Sequence, residues 1–227
     1  MLNQVLIEKF AADFKIAPLN IIREYLEIEV LYYLSQRKLS ENLVFYGGTS
    51  LRLAYQSLRF SEDLDFLLSS SSKNDKKELK DALEAMAANN EGASIEEIIE
   101  KRNTLFALVH IKNALLKHAI RIKIEICKKK NGIKSENILI TSPINNKESI
   151  FRTADLESLY ELKEKAILGR DMPRDWFDYW YLCQKLRKKN SIRKKFPFSK
   201  RNFENELKRW LPRDKWKIIK TVTDFYE

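Results

Sequence analysis

Gly47, Gly48, Asp63 and Asp65 are the residues of this chain best spaced to do chemistry together. They sit in VFYGGTSLRLAYQSLRFSEDLDFLL, residues 44–68, which reads as an apolar strand, a Gly-Gly-Thr-Ser turn, a helix and a second strand. Alternate residues of a strand share a face, so the two carboxylates project together, about 7 Å apart at the backbone. Neighbouring anions repel, and a hard divalent cation such as Mg2+ relieves the repulsion through oxygen ligands while keeping places for water and substrate phosphate. Backbone N–H groups where the turn becomes a helix suit those phosphates. A glycine pair alone is an ordinary tight turn, and Asp-x-Asp alone is an ordinary surface; the ordered combination carries the information.

With those residues in place, the segment resembles the polymerase-β-type nucleotidyltransferase superfamily, and the fuller wording GGTSLRLAY…RFSEDLDF is similar to its AbiEii/AbiGii toxin-like branch. A later block, LYELKEKAILGRDMPRDWFDYWYL at 159–182, resembles the lysine–arginine–aspartate motif of that branch. The resemblance implies transfer of a nucleoside monophosphate from an NTP to a hydroxyl, with displacement of pyrophosphate. In-line attack of this kind suits two metal ions about 3.5–4 Å apart, which stabilise the attacking and leaving oxygens. Asp63 and Asp65 would hold two Mg2+ ions, with Mn2+ as an alternative. Gly47, Gly48, Thr49 and Ser50 would hold β- and γ-phosphate oxygens through N–H and hydroxyl donors. Ser61 is either a substrate contact or a strand-entry hydroxyl.

The most regular strand is IRIKIEI, residues 120–126: four isoleucines on one face, Arg121, Lys123 and Glu125 on the other. By pattern alone it is a half-exposed strand with its charges in water. The resemblance asks a neighbouring strand for a third acid, which makes Glu125 a metal ligand or the group that activates the attacking hydroxyl, with Lys123 as a nearby cation. In the later block, Lys163 and Arg170 are seven residues apart on one helix face, and Arg174 and Asp178 form an i,i+4 pair. Spacing alone makes these exposed salt bridges, which are worth little. Asp171, Pro173 and Arg174 read as one helix ending and the next beginning, which gathers Arg170 and Arg174 at a turn. The resemblance matches Lys163, Arg174, Asp175 and Asp178 to its motif, giving Lys163 the triphosphate charge and the two aspartates orienting, binding or catalytic roles that spacing does not separate. Trp176, Phe177, Tyr179, Trp180 and Tyr181 read chiefly as core, and His110 and His118 join no metal or nucleophile constellation.

A net charge of +10 is clustered at Lys128–Lys130 and in a segment holding Lys185, Arg187, Lys188, Lys189, Arg193, Lys194, Lys195, Lys200 and Arg201. Such blocks attract nucleic acid through counterion release, although a lysine-rich soluble surface has the same composition. No apolar run approaches the roughly 20 residues that span a bilayer, and the N-terminus lacks a signal-like cleavage region. A cytoplasmic protein without a membrane partner is therefore expected. Two cysteines are too few for a disulfide framework.

The expected architecture is α/β (α+β): two N-terminal helices, a minimal nucleotidyltransferase mixed sheet with flanking helices over 1–150, and a helical C-terminal domain over 151–227. The boundary is placed within SPINNKES. The resemblance further implies a toxin component of a toxin–antitoxin or abortive-infection system, a cognate antitoxin, an NTP substrate and an RNA acceptor, especially a tRNA 3′ end. A nucleotidyltransferase acting on a protein or small-molecule hydroxyl, and a non-catalytic RNA-binding module, are the rival readings; the intact acid set argues against the second.

Overall fold

A computed structural model describes residues 2–112, 119–128 and 132–227. His118, Lys129, Lys130 and the Asn131 half of the expected Asn131-Gly132 turn lie outside the described residues. Helix α1 (Gln4–Asp13) starts where the Asn3 side chain accepts from Leu6 N–H at 3.0 Å. Helix α2 (Pro18–Ser35) starts at a proline, whose missing N–H costs a first turn nothing. Strand β1 (Leu43–Tyr46) runs directly into α3 (Gly47–Leu53), and β2 (Asp63–Leu68), α4 (Asp75–Ala88), β3 (Ala93–Glu100), β4 (Thr104–Ile111) and β5 (Ile120–Cys127) follow. Strands β6 (Ser135–Ser142) and β7 (Asn145–Ala154) precede α5 (Leu156–Gly169), α6 (Pro173–Leu186), α7 (Lys200–Leu207) and α8 (Ile218–Tyr226).

The strands form one mixed sheet in the order β3-β4-β5-β2-β1-β7-β6. Strand β2 lies antiparallel to β1 and parallel to β5, so the acidic strand occupies the middle of the sheet. One face carries Phe45, Leu64, Phe66 and the four isoleucines of β5, buried under Leu26, Leu31 and Leu34 of α2 and Leu79, Leu83 and Met86 of α4. The opposite face starts the same way: Val44 and Leu67 are paired in register and covered by Leu51, Leu159, Ile167 and Phe177. Two residues further along that face, the pair is Tyr46 and Asp65, and the cover opens. The cavity thus lies at the incompletely covered end of a packed sheet.

The helical C-terminal region begins at Leu156, and its core is shared with β1, β2 and α3. The boundary expected near 150 falls inside β7, which pairs parallel with β1 at Phe45 and Thr153. The aromatic run of α6 is core, with Trp176, Phe177, Tyr179, Trp180 and Tyr181 all buried. Trp176 packs edge-on against Phe196 and Tyr226, at 5.2 Å and 4.8 Å between ring centroids.

Candidate active site

Strand pairing assembles the acids. Asp63 lies opposite Lys123 and Asp65 opposite Glu125, so these four side chains share one face. They line a cavity of about 300 Å³ between the sheet and helices α5 and α6. Lys123 Nζ stands 3.2 Å from Asp63 Oδ2 and 3.6 Å from Glu125 Oε2. Burial works against its positive charge, but Asp63 and Asp65 outweigh burial and hold the ammonium above its usual range.

Burial, with Asp63 beside it, pushes the Asp65 carboxyl up to about 6. Burial also raises Asp63, against the pull of Lys123. Burial raises the phenol of Tyr46 as well, and Asp65 adds to it. Two carboxylates held side by side with their charge incompletely compensated are a fitting donor set for a hard divalent ion that takes its other ligands from water and substrate. Among the described residues, no three His, Cys, Asp or Glu side chains converge tightly enough to enclose an ion.

The Asp65 shift has a thermodynamic consequence. Because its folded pKa lies above the 3.8 of the free side chain, the metal-free folded state binds the extra proton between about pH 4 and 6. Asp65 therefore lowers stability progressively as pH rises through that window. Asp65→Asn is expected to remove this slope from a pH series of melting temperatures, and an unchanged slope would show that Asp65 is not the strained group.

The glycine pair admits the charges around it. Gly47 has φ +90°, and a Cβ there would lie 2.6 Å from Asp65 Oδ2. A Cβ on Gly48 would lie 2.4 Å from Arg59 Nη2 and 2.9 Å from Ser61 Oγ. Gly47, Gly48 and Ser61 line the cavity. The Thr49 and Ser50 hydroxyls do not: Thr49 donates to the Asp63 carbonyl, and Ser50 donates to the Gly47 carbonyl at 3.0 Å. Both side chains are fully buried, so the hydroxyl contacts to phosphate expected of them are spent inside the turn, fixing α3 to β2.

The opposite wall is cationic. Lys163 Nζ lies 2.8 Å from Asp175 Oδ1 and 2.7 Å from Asp178 Oδ2. Arg170 Nε donates to Asp175 Oδ2 at 2.7 Å. Arg59 forks onto Asp178, Nε to Oδ1 at 2.9 Å and Nη2 to Oδ2 at 2.8 Å. Burial alone would raise both carboxyls, but Lys163 and Arg170 hold Asp175 down to about 2, and Arg59 and Lys163 keep Asp178 below the usual carboxylate range. These are buried ion pairs, not the exposed ones that spacing suggested. Arg174 does not pair with Asp178: it reaches Glu62 at 2.7 Å and lies over the Trp210 ring, 4.9 Å from its centroid, while Asp178 faces inward. Asp175 lines the cavity beside Lys163, Arg170 and Arg174, whereas Asp178 sits behind them. Arg59 is the member to which no role was assigned; its signal was its place at the head of the RFSEDLDF block, four residues before Asp63.

Comparison with known proteins agrees with this architecture. The family model described as nucleotidyl transferase AbiEii toxin, Type IV TA system, matches residues 29–220. JHP933 from Helicobacter pylori is 21% identical, with a TM-score of 0.56 over 93% of this chain and 80% of that one. MenT4, a nucleotidyltransferase toxin from Mycobacterium tuberculosis H37Rv, is 16% identical, with a TM-score of 0.61 over 100% of this chain and 90% of its own. At these identities the likeness establishes the fold. No curated protein matches the sequence. Among the described residues, no helix is long and apolar enough to cross a membrane. The family model spans most of the chain and includes both walls of the cavity, and the chain belongs to the AbiEii nucleotidyltransferase toxin family.

Proposed function

We propose that this nucleotidyltransferase moves a nucleoside monophosphate from an NTP to the 3′-hydroxyl of an RNA, tRNA being the favoured class, as the toxin partner of an antitoxin. The observation that carries the reading is the pairing of opposed walls in one cavity: Asp63, Asp65 and Glu125 on the sheet, Lys163, Arg170 and Arg174 on the helices. A triphosphate with its divalent cation needs both at once. Asp63 and Asp65 would hold Mg2+ (or Mn2+), and when bound the ions would stabilise the attacking and leaving oxygens.

The chain's own residues do the rest. Gly47 and Gly48 bring backbone close to the phosphates without a Cβ in the way. Lys163 has three N–H donors, two of them spent on Asp175 and Asp178, which leaves one to meet a phosphate oxygen. Arg170, mostly exposed at the mouth, adds a second cation. Glu125, beside Asp65 on the next strand, takes the proton of the acceptor hydroxyl as general base. Ser61, which lines the cavity, would donate to the same substrate.

The basic segment after α6 supplies the acceptor side. Lys188 pairs with Glu157, and Lys194 pairs with Asp171 at 2.7 Å. Arg187, Lys189, Arg193 and Lys195 are exposed and, among the described residues, make no ion pair. Neutralising those four is expected to lower RNA affinity and reduce the log–log salt slope by roughly 3, at about 0.7 per phosphate contact on single strands. An unchanged slope in a binding titration would reduce them to solubilising charges.

Incubation with each labelled NTP, Mg2+ and total cellular RNA tests the acceptor. Label should enter RNA, and prior periodate oxidation, which destroys the terminal vicinal diol, should abolish it. Label entering protein or a small molecule, or surviving periodate, overturns the RNA 3′-end reading.

A further inference from the structure

Arg59 opens the RFSEDLDF block but was given no role of its own, and it is the most deeply placed cation of the cavity wall, with its side chain 3% exposed. Three of its N–H groups are committed: two to Asp178, and Nη1 to the Phe60 carbonyl at 2.8 Å. Asp178 Oδ2 therefore receives both Arg59 and Lys163. Asp175 likewise receives both Lys163 and Arg170. With Arg174 paired to Glu62, the rest of the wall holds three cations, Arg59, Lys163 and Arg170, against two carboxylates. The facing wall holds Asp63, Asp65 and Glu125 against the single ammonium of Lys123.

That count decides what Lys163 can do. With Arg59 present, Asp178 is already neutralised, and one positive charge is left for a ligand. Without Arg59, Lys163 and Arg170 would be fully cancelled by Asp175 and Asp178, and the wall would carry no surplus. Access for Arg59 depends on Gly48, since a Cβ there would fall 2.4 Å from its Nη2. The arginine is thereby tied to the turn on one side and to α6 on the other.

We propose that Arg59 is a positioning residue for the triphosphate: it neutralises Asp178 so that the charge of Lys163 is left for the NTP. This rests on the nucleotidyl-transfer reading given above. Its energetic signature is a binding effect that follows surplus charge, not fold stability. Arg59→Met removes the surplus. Arg59→Lys keeps the charge and loses the fork. Arg59→Met with Asp178→Asn removes both partners and restores a surplus of one.

Equilibrium dialysis of the four labelled NTPs with Mg2+ against each folded variant, alongside its melting temperature, separates the possibilities. Arg59→Met should weaken NTP binding by roughly tenfold or more, the scale of one lost charge-assisted contact. KM should rise in step, while kcat at saturation falls less. Arg59→Lys and the double variant should bind within about threefold of the unaltered protein even where their melting temperatures are lower. Wild-type affinity in Arg59→Met overturns the proposal and leaves nucleotidyl transfer standing. If Arg59→Met does not fold, the other two variants decide: a loss of about tenfold in either would show that the fork geometry, not the charge, matters. No NTP binding by the unaltered protein would overturn the parent reading together with this one.

Discussion

Replacing Asp63 and Asp65 together by alanine is expected to abolish Mg2+-dependent transfer, by at least about 10³-fold, while leaving the protein folded. The magnitude follows from losing the several kcal/mol of charge stabilisation that a held cation supplies, at about 1.4 kcal/mol per tenfold in rate. The fold survives because the apolar face of β2, with Leu64 and Phe66, is untouched and remains packed beneath α2 and α4. At neutral pH the metal-free double variant should melt no lower than the unaltered protein, since the Asp65 charge it removes is one that burial and Asp63 disfavour. Steady-state assays with a melting curve for each preparation check both halves. Full activity in a folded double variant would remove these residues from the chemistry.

Lys163→Ala should cost more stability than loss of an exposed ion pair, about 1.5–3 kcal/mol, the scale of a buried charge-assisted hydrogen bond whose acceptors each keep an arginine. The lysine is the shared partner of two buried carboxylates, and its removal leaves Asp175 to Arg170 alone and Asp178 to Arg59 alone. An exposed pair would give about 1 kcal/mol or less. Denaturant unfolding distinguishes the two, and a loss below about 1 kcal/mol would contradict the buried network. In whatever fraction remains folded, NTP use should fall as well, because the donor aimed into the cavity is gone.

The acidic half of this site was legible because β2 and β5 write their geometry in period-two alternation. Once Asp63 and Asp65 share a face and Glu125 ends a neighbouring alternating strand, pairing can bring them together, and the register Asp65 to Glu125 does so. Strand β7 was not legible. Its sequence, NNKESIFRTA, buries Asn145 and Ser149 and exposes Ile150, so the apolar period is absent and the segment reads as a linker. Side-chain partners were also beyond reach of spacing. Arg174 and Asp178 stand one helical turn apart, yet tertiary packing turns one toward Glu62 and the other toward Arg59. The Thr49 and Ser50 hydroxyls looked available because nothing local shows that the carbonyls of Asp63 and Gly47 will take them. What alternation and turn chemistry encode was readable; which charge meets which across 119 residues, as Arg59 meets Asp178, is decided by the fold.

The most direct measurement follows the fate of the two ends of the triphosphate in one reaction with RNA, Mg2+ and the unaltered protein. NTP labelled at the α-phosphate should leave its label on the RNA 3′ end, while NTP labelled at the γ-phosphate should release its label as pyrophosphate, and both signals should vanish in the Asp63, Asp65 double variant. Stable transfer of the γ-label to an acceptor, or α-label transfer that persists in the folded double variant, would contradict nucleotidyl transfer at this cavity.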